Sequence, residues 1–133
     1  MACVSTYLNF VNNTEAAFNF YKSVWRYAPA GENAPLPEKD KNLIVHIELP
    51  IVGGHVLMGT DTPESMGFHV NFGNNVHINL EPDTRKETKR LFDALSAGGK
   101  VTMELQDMFW GAYYGSCTDK YGVQWMVNCV EKA

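Results

Sequence analysis

Four histidines and three cysteines hold most of the chemistry this chain can offer. His46 and Glu48 stand two residues apart in an apolar run, so a strand would put imidazole and carboxylate on one face. That pair can supply two ligands to a cation, or it can be a hydrogen-bonded strand histidine beside a solvated glutamate. His77 also lies in a strand pattern, and an imidazole can serve as a general acid or base. No carboxylate partner for it is evident in the sequence. His55 and His69 fall in or near loops and read as surface residues. Cys3, Cys117 and Cys129 are odd in number and contain no Cys-x-x-Cys pair, which argues against a disulfide framework or a zinc ribbon. Cys117 and Cys129 sit in apolar strand patterns and read as buried small hydrophobes with reduced thiols. Trp110, next to Phe109, can stack on a planar ligand or pin its own loop. No nucleophile and base stand at a recognisable spacing.

The elements that must position these groups are legible from periodicity. Thr6–Val11 alternates as a half-buried strand does. Asn12-Asn13-Thr14 predicts a turn and helix cap, and Ala17, Phe18, Tyr21 and Trp25 recur at helical spacing through Tyr27. Residues 28–42 hold three of the six prolines and read as loop. Leu43–Leu49 and His55–Gly59 predict a hairpin around the turn Pro50–Gly54. Residues 61–75 are polar and Gly-rich. His77–Leu80 is then a strand, Asp83-Thr84 cap a helix over Arg85–Ala97, and Gly98-Gly99 stop it. Val101–Leu105, Tyr113–Thr118 and Val123–Cys129 are three further strands.

That order is a repeat. Asn9 and Asn79, Thr14 and Thr84, Tyr21 and Leu91, and Trp25 and Leu95 each lie 70 residues apart. Gly54 and Gly122, and Met58 and Met126, lie 68 apart. Such a match predicts an α+β fold of two tandem modules, each a strand, a helix and two or three more strands. Module one spans about 4–61 and module two about 76–130 of one 133-residue domain. The net charge of −4 gives no reason to expect nucleic acid or an anionic membrane as partner. The apolar runs are shorter than a membrane span. The N-terminal residues show no signal-peptide pattern, and the expected compartment is a reducing cytoplasm.

A paired βαβββ module resembles the vicinal oxygen chelate superfamily of glyoxalases, bleomycin-resistance proteins and dioxygenases. Ala17-Phe18-Asn19-Phe20-Tyr21 resembles that superfamily's first helix. Leu91–Gln106, Phe109-Trp110-Gly111 and Asp119–Asn128 resemble its PhnB-like branch, whose members often carry the name 3-demethylubiquinone 3-methyltransferase. Methyl transfer on a Rossmann-type fold needs a strand followed by a Gly-rich turn and a helix. Here the Gly53-Gly54 turn leads into a strand.

The resemblance implies mixed sheets that curl into a half-open barrel with helices outside and a ligand cleft within. Four cleft positions commonly hold His or Glu and bind Fe, Ni, Mn or Zn. Carried over, they are Tyr7, Met58, His77 and Met126. Thioethers favour soft ions, so no metal cofactor of the family type is expected. A weaker metal arrangement would draw on His46, Glu48 and His77. The cleft side would carry Tyr7, Asn9, Val56 and Met58 from module one. His77, Asn79, Gln124, Met126 and Asn128 would come from module two, with Trp110 on the covering loop. Apolar walls with a few hydrogen-bonding groups describe a small-molecule site. The alternatives are a cleft packed shut and a metal-dependent or His77-assisted lyase, isomerase or dioxygenase. Symmetric homodimers are expected of such folds.

Overall fold

The computed structural model describes residues 2, 4–25, 46–62, 67 and 69–132. Among the described residues the fold is α+β: two α-helices and two mixed sheets, of three and four strands, neither of them closed. The chain divides into two compact units, Met1–Asn71 and Phe72–Ala133.

In the first unit, β1 (Thr6–Phe10), α1 (Thr14–Trp25), β2 (Ile47–Pro50) and β3 (Val56–Asp61) form a sheet of order β1-β3-β2 with one helix. β1 runs parallel to β3, and β2 pairs antiparallel with it as the expected hairpin. Gly53 and Gly54 make the turn at φ 73° and 77°, a conformation that a Cβ disfavours. The predicted strand start at Leu43–Val45, the loop 28–42, the helix end at Tyr27 and Cys3 lie outside the described residues. Along β3 the burial alternates, with Leu57, Gly59 and Asp61 buried and Val56, Met58 and Thr60 half-buried. The buried row faces α1. At Gly59 a Cβ would collide with the Phe18 ring, so glycine is what lets the helix lie this close.

The cap of α1 differs from the local one expected. Asp61 Oδ1 accepts from the Thr14 backbone N–H at 3.1 Å and from the Thr14 hydroxyl at 2.6 Å. The carboxylate at the end of β3 thus supplies the cap that Asn12-Asn13-Thr14 was expected to form locally. Asn13 Oδ1 is buried without a hydrogen-bond partner among the described residues.

The second unit holds β4 (Ile78–Leu80), α2 (Arg85–Ser96), β5 (Lys100–Asp107), β6 (Tyr113–Thr118) and β7 (Gln124–Cys129). Its sheet order is β4-β7-β6-β5, with β4 parallel to β7 and the other pairs antiparallel. Thr84 caps α2 as expected, accepting from Glu87 N–H at 3.1 Å. Glu131 Oε1 adds a bond from Arg85 N–H at 2.6 Å. Thr88, Leu91, Phe92 and Leu95 are buried and turn toward the sheet. β5 is longer than expected and carries two register irregularities, between Val101 and Met103 and between Met103 and Gln106.

The turn from β6 to β7 explains the Asp119–Trp125 motif. Asp119 is buried, and its Oδ1 accepts from Tyr121 N–H at 2.8 Å and Val123 N–H at 3.1 Å. Its Oδ2 accepts from the Trp125 indole at 2.7 Å. Gly122 completes the turn at φ 92°. One carboxylate therefore closes the turn and fixes the largest fully buried side chain of the unit.

Candidate functional site

Strand alternation that buries one face of each sheet frees the other for chemistry. On the first sheet, Tyr7 pairs with Met58 and Met58 with Glu48, giving one row across β1, β3 and β2. Asn9 pairs with Thr60 in the next row. Tyr7 and Asn9 are exposed, and Met58 and Glu48 are half-buried.

His46, just before β2, ties the ends of the first row together. Its Nε2 lies 2.9 Å from Glu48 Oε2 and its Nδ1 3.1 Å from the Tyr7 hydroxyl. The Tyr7 and His46 rings are 5.7 Å apart and tilted by 39°. Tyr7 and Glu48 sit two strands apart, a backbone separation of about 10 Å, which an imidazole with its side-chain reach can bridge. The expected strand pairing of His46 with Glu48 is present, and Tyr7 is the third member that sequence spacing did not reveal. His55 bonds to Thr6 Oγ1 at 2.8 Å, and His69 is exposed.

On the second sheet, Asn79 pairs with Met126 and Met126 with Ser116. Ser116 is in turn 2.7 Å from the Thr102 hydroxyl. Gln124 accepts from Thr118 at 2.9 Å and donates to the Gly73 carbonyl at 3.0 Å. Asn79 donates to Glu81 at 3.0 Å. Trp110 meets Tyr114 edge-on at 5.6 Å, and its indole N–H lies 3.5 Å from Asn128 Oδ1. It thus leans on the sheet while keeping half its surface exposed. Phe109 packs edge-on against Trp110 at 5.0 Å and is 94% exposed. His77 is half-buried immediately before β4. Tyr114, Ser116 and Thr102 were missed from sequence. The β6–β7 hairpin register, which sets Ser116 opposite Met126, is the signal that points to Ser116.

Neither group of residues fits a hard or borderline divalent cation. Each central row has a thioether at its middle, Met58 or Met126. Both His46 nitrogens are engaged by hydrogen bonds, so no ring lone pair is presented to a metal unless one bond breaks. Among the described residues no three His, Cys, Asp or Glu side chains lie together. Nor does the Gly53-Gly54 turn suit S-adenosylmethionine in the Rossmann manner, since it leads into β3 and not into a helix. Burial, with Asp119 nearby, pushes the Cys117 thiol up to about 12, which disfavours the thiolate form.

Comparison with known proteins agrees with this architecture. The family profile for 3-demethylubiquinone-9 3-methyltransferase matches residues 2–128. Protein YjdN of Escherichia coli is 30% identical over 97% of this chain and 96% of its own length. The crystal structure of PA1353 from Pseudomonas aeruginosa is 34% identical, covers both chains in full and superposes with a TM-score of 0.86. A PhnB protein from Bacillus cereus, described as a putative 3-demethylubiquinone-9 3-methyltransferase, is 22% identical. The match covers 96% of this chain and 99% of that one, with a TM-score of 0.80. A glyoxalase/bleomycin resistance protein/dioxygenase family enzyme from Burkholderia phytofirmans shares the fold, with a TM-score of 0.69 at 18% identity over 95% and 98% of the two chains. The tandem sheet-and-helix units thus have the glyoxalase/bleomycin resistance/dioxygenase fold, and the chain belongs to the 3-demethylubiquinone-9 3-methyltransferase-like (PhnB) family.

Proposed function

We propose that this protein binds a small organic molecule on the open faces of its sheets, without the metal site typical of its superfamily. The observation that carries the reading is the composition of the two central rows. Each sets a methionine between polar residues: Tyr7, Met58 and Glu48 in one, exposed Asn79, half-buried Met126 and buried Ser116 in the other. A soft apolar centre with hydrogen-bonding groups at its edges suits a compact amphipathic ligand. Trp110 and Tyr114 add aromatic surface beside Asn128. The buried free thiols of Cys117 and Cys129 are compatible with a reducing cytoplasm.

The test is native mass spectrometry of protein purified without chelators and then exposed to a cell metabolite extract, with metal analysis in parallel. A discrete small-molecule adduct is expected, lost in Met58→Arg and Met126→Arg and unaffected by EDTA. Stoichiometric Fe, Ni, Mn or Zn that EDTA removes together with the adduct would overturn the metal-free reading. A second reading, enzymatic proton transfer, is favoured by the contacts of His46.

A further inference from the structure

The first unit carries a chain of three titratable side chains on its open face. Glu48 as a carboxylate only accepts, so the His46 nitrogen facing it at 2.9 Å carries the hydrogen. The other nitrogen, Nδ1, then turns its lone pair to the Tyr7 hydroxyl at 3.1 Å, and Tyr7 donates. The order is donor, base and orienting carboxylate, the logic by which an imidazole activates a hydroxyl and a carboxylate fixes its tautomer. The chain is also reachable. His46 and Glu48 side chains are each 35% exposed, and Tyr7 is 47% exposed. Hydrogen bonds this wet add little to stability. The β1-β3 and β3-β2 ladders already hold the strands.

We infer that Tyr7, His46 and Glu48 form a proton-transfer site for a carbon acid, a small ligand with a carbonyl beside an ionisable C–H. The inference rests on the binding role proposed above. The Tyr7 oxygen takes the ligand's carbon-bound proton as its own hydrogen passes to His46 Nδ1. The C–H electron pair forms the new carbon–carbon π bond, and the carbonyl π pair moves onto oxygen as an enolate. Glu48 holds the imidazolium so formed. The proton returns through Tyr7 to the enolate, at its oxygen or at carbon. The net change is a tautomerisation that needs no oxidant, reductant or leaving group. Tyr7 is the catalytic residue, His46 its proton acceptor and Glu48 a positioning residue. Met58, between Tyr7 and Glu48 in the row, is the apolar floor.

The probe is 5-nitrobenzisoxazole, an activated carbon acid. Removal of its C–H proton breaks the N–O bond and releases a coloured cyanophenolate. Binding of the same probe is followed separately by saturation-transfer NMR. Wild-type protein should eliminate the probe faster than buffer. Tyr7→Phe and His46→Gln should each lose about 100-fold of that enhancement, the usual worth of general acid–base catalysis. Glu48→Gln should lower kcat while leaving KM in place. Tyr7→Phe should still bind the probe, which separates loss of chemistry from loss of folding or binding. A wild-type rate equal to buffer, or a Tyr7→Phe rate equal to wild type, overturns the inference. Probe bound but not turned over sinks the proton-transfer site and spares the binding role. Elimination that persists when no metabolite adduct is found sinks the binding role instead.

Discussion

Asp119 shows how much one buried side chain can organise. It accepts two backbone N–H groups and the Trp125 indole while 3% exposed. Removing it takes the acceptor away from all three donors of this turn, which costs more than the bonds themselves contribute. Asp119→Ala should lose about 3 kcal/mol in urea unfolding, with Asp119→Asn losing less because one acceptor oxygen remains. Cys117 gives a second test at this scale. Its thiol is raised to about 12, so almost no thiolate is present at pH 8. Iodoacetamide at that pH should leave Cys117 unmodified in the native protein and label it after denaturation, as peptide mapping will read. The type and place of single residues were legible where strand alternation governs them, as with Tyr7, Asn9 and Met126. The Tyr7–His46 contact was not, because 39 residues separate the partners and only the β1-β3-β2 order brings them together.

Helices and strands followed their periodicity closely, and the departures have physical causes. α1 is capped by Asp61, 47 residues downstream, which no local capping pattern can announce. β5 ran past its predicted limits because an edge strand exposed along most of its length offers little apolar alternation. The contact of α1 with β3 is the element-scale feature most open to test. A methyl group at Gly59 would strike the Phe18 ring and lie 3.3 Å from Thr14 Cγ2. Gly59→Ala should therefore destabilise the protein by about 1–3 kcal/mol, the usual cost of overpacking, seen as a lower urea midpoint with an unchanged slope. Gly53→Ala gives the contrast. Nothing lies within 4 Å of its Cβ, and only the positive φ opposes it, at about 1 kcal/mol.

For the whole molecule, the repeat was the most legible signal, because a shared period constrains every element at once. Finer features, such as the rows that form on each open face, depend on sheet register and emerged only with the fold. The family name implies methyl transfer, yet neither sheet presents a strand, Gly-rich turn and helix in sequence among the described residues. Titration calorimetry with S-adenosylmethionine should give no binding heat, and a micromolar site would refute this. Phe109 is 94% exposed and Trp110 50%, an edge-on apolar pair on the second unit. A symmetric homodimer using that surface should show about twice the 14.9 kDa chain mass by light scattering. Phe109→Glu should return it to monomer. The manner of such assembly is constrained by β5. It lies at the outer edge of its sheet, with two register breaks and exposed Lys100, Glu104 and Asp107. Interrupted ladders and charges of both signs deny an incoming chain the continuous row of amide groups that fibrils template on. The border of this sheet is thus guarded against runaway polymerisation, and copies of the protein can meet through side chains without growing into one another's backbone.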